Sequence, residues 1–296
     1  MGQETAISWT DHTFNPWWGC TKVSPGCDGC YAEAFDKRVG GAHWGKGAER
    51  RTFGDKHWAE PLKWDARAKS LGITAKVFCA SMADVMDDEA PAGQRQRLWD
   101  LINSTPNLIW QLLTKRPQRY TQYLPLGGFP LGNVWLGTTC ENQQFYDVRW
   151  PKLQFAAMAL GVPTFISYEP ALGPVTMASF HRKPDWLIFG GETGPKPRPM
   201  QLEWAANIQR ECEECGVAFF MKQMSARTPT KAAALIPASL LIRQFPVPER
   251  KAVSTPEKYT GNQYAINRLR DFARELKADL VSLPPASAES VPERKA

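Results

Sequence analysis

Three cysteines, Cys20, Cys27 and Cys30, fall within eleven residues in the segment NPWWGCTKVSPGCDGCYAE, spaced C-x6-C-x2-C. Pro25-Gly26 supplies a turn, and Gly19, Gly26 and Gly29 allow the backbone to wrap tightly around the thiols. Three thiolates on one loop can hold three irons of a 4Fe–4S cluster and leave the fourth iron open to an exogenous ligand. They can equally hold zinc, which in a structural site wants a fourth protein ligand. Cys212 and Cys215 form a second C-x2-C, near the end of a predicted helix. With Cys27 and Cys30 they could complete a four-thiolate zinc site; the plainer reading is two helix cysteines that pack. The four histidines, His12, His43, His57 and His181, are scattered, and no G-x-S-x-G, P-loop or H-E-x-x-H is present.

The elements that must position this loop follow from residue 75 onward. Short apolar runs at 76–80 (KVFCA), 108–113 (LIWQLL), 134–138 (VWLGT), 164–167 (TFIS), 186–189 (WLIF) and 217–221 (VAFFM) read as buried parallel strands. Predicted helices lie between them at 91–102, 143–160 and 202–215, the last stopped by Gly216. A further strand is expected near 6–9. The fold class is therefore α/β, a partial (β/α) TIM-like barrel of six to seven parallel strands, with a doubly wound open sheet as the alternative.

Polar residues follow each run, on the face where barrels carry their chemistry. Ser81 and Asp84 follow the first, Lys115 and Arg116 the second, Thr139, Cys140 and Glu141 the third. Glu169 follows the fourth, Gly190-Gly191-Glu192 the fifth and Lys222 the sixth. Glu141 and Glu169 could bind ribose hydroxyls or substrate, or serve as helix caps and ion-pair partners. Lys115, Arg116 and Lys222 suit a carboxylate or phosphate, or neutralise those glutamates. Cys140 at the rim could give a hydrogen atom to a product radical, or be a small buried hydrophobe.

The stretches NPWWGC and GCDGCYAE, LLTKRP at 112–117, YEPALGP at 168–174, WLIFGGETGPKPRPM at 186–200 and FFMKQ at 219–223 resemble an uncharacterised phage-associated three-cysteine-motif family, similar to the radical S-adenosylmethionine (SAM) enzymes. The resemblance implies a 4Fe–4S cluster on Cys20, Cys27 and Cys30. It also implies SAM chelated at the open iron and cleaved to a 5′-deoxyadenosyl radical, and an electron donor that reduces the cluster. The superfamily spacing is C-x3-C-x2-C, with its GGE after the second strand; here the first gap is six and the GGE follows a late strand. Ser81 and Asp84 stand in the position of the SAM amino-group contact, while Gly190, Gly191 and Glu192 would approach the adenosine.

The net charge of +6 is compatible with a nucleic-acid or nucleotide substrate. The segment 37–63 mixes Lys37, Arg38, Lys46, Arg50, Arg51, Lys56 and Lys63 with Trp44, Phe53 and Trp58. It reads as a base-stacking, phosphate-tracking surface or as an ordered loop closing one end of the barrel. Twelve tryptophans include Trp17 and Trp18 beside Cys20, a hydrophobic collar for the iron. Seven cysteines, with no secretion signal, fit a reducing cytoplasm better than a disulfide framework, and no apolar run is long enough for a membrane. Residues 1–245 form the expected barrel domain, and 246–296 a proline- and charge-rich tail with one amphipathic helix at 262–280. The competing functional reading is a zinc-stabilised nucleic-acid-binding protein without catalysis.

Overall fold

In the computed structural model, residues 5–124 and 132–246 are described. Seven strands run in sequence order: β1 (His12–Thr13), β2 (Ala75–Cys79), β3 (Leu108–Thr114), β4 (Val134–Thr139), β5 (Thr164–Tyr168), β6 (Trp186–Gly190) and β7 (Ala218–Gln223). The helices are α1 (Tyr31–Arg38), α2 (Asp55–Trp58), α3 (Glu60–Leu71), α4 (Gln94–Asn103), α5 (Tyr120–Tyr123), α6 (Gln143–Leu160), α7 (Leu202–Cys215) and α8 (Pro229–Ala234).

The strands form one sheet in the order β1-β2-β3-β4-β5-β6-β7, and every adjacent pair is parallel. That order decides between the two α/β architectures. A doubly wound sheet reverses its strand order midway and so places helices on both faces. Here each parallel crossover steps in the same direction, and with the right-handedness such connections favour, the helices stay on one side and the sheet curls around the other. The result is a partial (β/α) barrel.

Alternation along the strands separates two cores. Val77, Trp110, Leu136, Ile166, Phe189 and Met221 face the helices. On the concave side Phe78, Trp135, Phe165, Trp186, Ile188 and Phe220 close around Trp9. The Trp9 ring lies 4.6 Å from Phe78 and 6.0 Å from Trp186. Trp9 explains why residues 6–9 read as a strand: their apolar character plugs the half-barrel. The edge strand sits at His12–Thr13 instead, paired with Val77 and Phe78.

Local signals set the helix limits. The Asn142 side chain accepts the Phe145 N–H at 3.2 Å to start α6, and Gly161 and Gly216, both with positive φ, end α6 and α7. In the segment 37–63 the aromatics are packed, while Lys37, Arg38, Lys46, Arg51, Lys56 and Lys63 are exposed. Trp58 is buried in the main core, and Trp44 and Phe53 pack on Trp18, Ala32 and Met82. The Arg51 guanidinium covers the Trp18 ring at 4.7 Å. The tail from 247 onward, with the helix expected at 262–280, lies outside the described residues. No described helix is long and apolar enough to cross a membrane.

Candidate active site

The cysteine loop lies across the C-terminal ends of the strands. Gly19 donates its N–H to the Met82 carbonyl at 3.0 Å, just beyond β2. Asn15, 1% exposed, fixes this junction: its side-chain oxygen accepts the Met82 N–H at 2.7 Å, and its amide donates to the Ser81 hydroxyl at 3.2 Å. Further on, Gly26 sits against the Glu141 carboxylate after β4, and Gly29 against the Glu192 carboxylate after β6. A methyl group on either glycine would overlap the carboxylate, so a side chain there would force the carboxylate or the loop to shift. The loop thus spans the sheet from β2 to β6.

Three carboxylates expected to contact a cofactor are each paired with an arginine. Asp84 meets Arg116 Nη1 at 2.8 Å and accepts the Thr114 hydroxyl at 2.6 Å and the Lys115 N–H at 3.1 Å. Glu141, fully buried, meets Arg149 Nη1 at 2.7 Å. Glu192 accepts from Arg198 Nε at 2.9 Å and from Nη2 at 2.5 Å, and those hydrogen bonds hold its carboxyl below the usual carboxylate range.

Each pair also grips the loop. Arg116 donates to the Thr21 carbonyl at 2.7 Å and approaches the Cys20 sulfur at 3.7 Å. Ser24 donates to Glu141, and Arg198 lies 3.8 Å from Asp28. Arg50, 5% exposed, supports the loop further, donating to the Thr21 hydroxyl at 2.8 Å and to Asp87 at 3.0 Å. Burial pushes the Cys20 thiol up to about 12; Asp84 adds to the shift and Arg116 opposes it.

The remaining expected residues divide. Glu169 accepts from Lys222 at 2.6 Å and from Gln223 at 3.0 Å, with Gly190 beside it. Lys115 Nζ lies 3.4 Å from the Thr139 hydroxyl. Tyr31, directly after Cys30, donates to the Ser81 carbonyl at 2.8 Å. Gly191 is pressed against the backbone of Met224 and Ser225. Cys140, expected at the rim, is fully buried in the core between sheet and helices, where burial raises its pKa. Its neighbour Thr139 takes the concave side because successive strand residues point oppositely.

Sequence reasoning missed Asn15, Ser24, Tyr31, Arg149 and Arg198. Arg149 stands eight residues after Glu141 and Arg198 six after Glu192. Arg149 lies on α6, which begins two residues after Glu141, whereas Arg198 lies in a loop with no periodic signal.

The donor chemistry fits a three-thiolate cluster: Cys20, Cys27 and Cys30 are free, half-buried thiols on one loop over the strand ends. Among the described residues, no three His, Cys, Asp or Glu side chains are gathered into a ready-made metal sphere. The four-thiolate zinc site does not form, because Cys212 is buried in the sheet–helix core and Cys215 is exposed on the outer helix α7.

The family model described as "Protein of unknown function (DUF5131)" matches residues 4–270. The chain belongs to this family. No curated protein matches it. Among solved structures it is similar to a spore photoproduct lyase variant, at 11% identity and a TM-score of 0.46, covering 72% of this chain and 64% of that one. It is also similar to another lyase variant with bound AdoMet and dinucleoside spore photoproduct, at 10% identity and a TM-score of 0.44, with the same coverage, 72% and 64%. The lyase complexed with dinucleoside spore photoproduct matches at 12% identity and a TM-score of 0.38, over 71% of this chain and 61% of that one. The chain spans less than two thirds of the length of these lyase chains.

Proposed function

We propose that this protein is a radical SAM-type enzyme that modifies or repairs a nucleic-acid base or nucleotide, with Cys20, Cys27 and Cys30 as ligands of a 4Fe–4S cluster. The observation that carries this reading is the placement of three free thiols, on one glycine-fitted loop, over the C-terminal ends of a parallel half-barrel. When bound, the cluster and SAM would supply a 5′-deoxyadenosyl radical for hydrogen-atom abstraction. The phage association carried by the resemblance, and an electron donor, belong to the same proposal.

The chain's own residues hold and shield that chemistry. Arg116 brings positive charge to the Cys20 sulfur, which favours its thiolate. Ser24 on Glu141 and Asp28 beside Arg198 tie the middle of the loop to the strand ends. Trp18, 6% exposed, packs with Ala32 and Met82 against Cys30 and so covers one side of the loop with apolar surface. Lys222 and Gln223 fix the orientation of Glu169, leaving a polar rim for the cofactor or substrate.

The test is anaerobic reconstitution with iron and sulfide, reduction by dithionite, and assay of 5′-deoxyadenosine formed from SAM. Formation by the wild-type chain and its loss in Cys30→Ala are expected. Iron-loaded, reduced protein that leaves SAM intact would overturn the assignment.

A further inference from the structure

A cleft of about 270 Å³ opens between the turn after β3 and the first half of α6, beside the cysteine loop. Four cations line it, Lys115, Arg116, Arg149 and Lys152, together with Phe145, Val23 and one carboxylate, Asp88. The charges are not balanced there. Arg116 is paired with Asp84 and Arg149 with Glu141, while Asp88 is taken up by Arg119 at 3.0 Å and the Tyr123 hydroxyl at 3.0 Å. Among the described residues, Lys115 and Lys152 have no carboxylate partner. The Lys115 ammonium reaches only the Thr139 hydroxyl, at 3.4 Å, and Lys152 is exposed. Two unneutralised ammonium groups on one small space favour an anion between them.

The cleft does not end there. Gln118, Val148 and Lys152 also line a second groove of about 520 Å³ that continues along α6, where Thr121, Pro151, Phe155 and one carboxylate, Asp147, which accepts from the Gln143 amide at 2.8 Å, complete the lining. Cations followed by a mostly apolar trough match a chain that alternates phosphates with flat bases better than a lone anion. Val23 of the thiol loop lines the cleft, as do Lys115 beside Thr139 and Arg116 beside Cys20, so the cleft borders that loop.

We infer that this cleft holds the backbone of a single-stranded nucleic acid, with Lys115 and Lys152 taking phosphates and α6 guiding the strand toward the cysteine loop. The choice of a nucleic acid rests on the functional reading above; the anion site rests on the cleft alone.

The test uses the full chain and a fluorescently labelled oligothymidylate of about 12 nucleotides, with binding followed by anisotropy over a salt series. Lys152→Glu is expected to weaken binding several-fold and to lower the slope of log K against log salt by about 0.7 for the lost contact. Lys152→Gln should give a smaller loss in the same direction. Lys69→Glu makes the same charge change on the exposed face of α3 and should bind as wild type does. The strand is overturned if Lys69→Glu weakens binding equally, or if inorganic phosphate competes as well as unlabelled oligonucleotide. Iron uptake is measured on the same preparations. Oligonucleotide binding by protein that takes no iron upholds the cleft and overturns the enzymatic reading, while iron uptake without oligonucleotide binding does the reverse.

Discussion

The Arg116 guanidinium stands 2.8 Å from the Asp84 carboxylate, with both side chains almost fully buried, and the same Nη1 atom lies 3.7 Å from the Cys20 sulfur. One ion pair therefore joins the exits of β2 and β3 to the first thiol of the loop. Removing one partner of a buried pair leaves an uncompensated charge, at a cost of about 3–5 kcal/mol. Asp84→Ala and Arg116→Ala should each destabilise the fold by that order in urea unfolding, and the double variant by less than their sum. Strict additivity would show that the pair is not coupled.

The close seats of Gly26 and Gly29 against Glu141 and Glu192 give a second expectation. Gly26→Ala and Gly29→Ala should displace the loop and lower iron uptake on reconstitution. Gly54→Ala meets nothing within 4 Å and should take up iron as wild type does. Equal uptake by all three variants would remove the positioning role of the loop glycines.

His57 supplies a pH dependence. Its ring stacks on Phe14 at 4.8 Å, its Nε2 meets the Asn15 carbonyl at 2.8 Å, and burial lowers its pKa below the ordinary 6.5. The unfolded chain therefore binds this proton at higher pH than the folded one. The sign follows: stability is complete above about pH 6.5 and falls as pH drops toward the lower folded pKa. Urea midpoints should fall between about pH 7.5 and about pH 5.5, and less steeply in His57→Gln. An equally steep fall in the variant would assign the effect to other groups.

Thiol labelling separates the cysteines by environment. Cys79, Cys140 and Cys212 are buried, Cys215 is exposed, and the three loop thiols are half-buried. In the native, metal-free protein, Cys27, Cys30 and Cys215 should react readily. Cys20 should lag, because burial holds its thiol protonated. Peptide mass mapping after a short alkylation reads the pattern. Fast labelling of Cys140 would contradict its place in the sheet–helix core.

The fold was largely legible because its signals are local. The limits of α6 and α7 follow from their apolar spacing and from Gly161 and Gly216, and the runs at 108–113 and 186–189 each fall within an observed strand. Trp9 misled because an apolar residue closing a barrel from within looks the same as one in an edge strand. At the site, the pairing of Lys222 with Glu169 was one of the alternatives the sequence offered, but which arginine meets which carboxylate was not visible. Arg116 lies 32 residues after Asp84 and reaches it only because β2 and β3 are neighbours in the sheet. Pairing of that kind is a property of the fold, so the sequence left Glu141 open between a cofactor contact and an ion-pair partner, and it named no partner for Asp84 or Glu192.

The central claim is that Cys20, Cys27 and Cys30 bind iron as one set, and metal analysis of anaerobically reconstituted protein tests it most directly. About four irons per chain are expected, with a brown colour that bleaches on reduction, and a large loss of iron in each of Cys20→Ala, Cys27→Ala and Cys30→Ala but not in Cys215→Ala. Well-folded protein that binds no iron, or that holds one zinc and stays colourless, would contradict it.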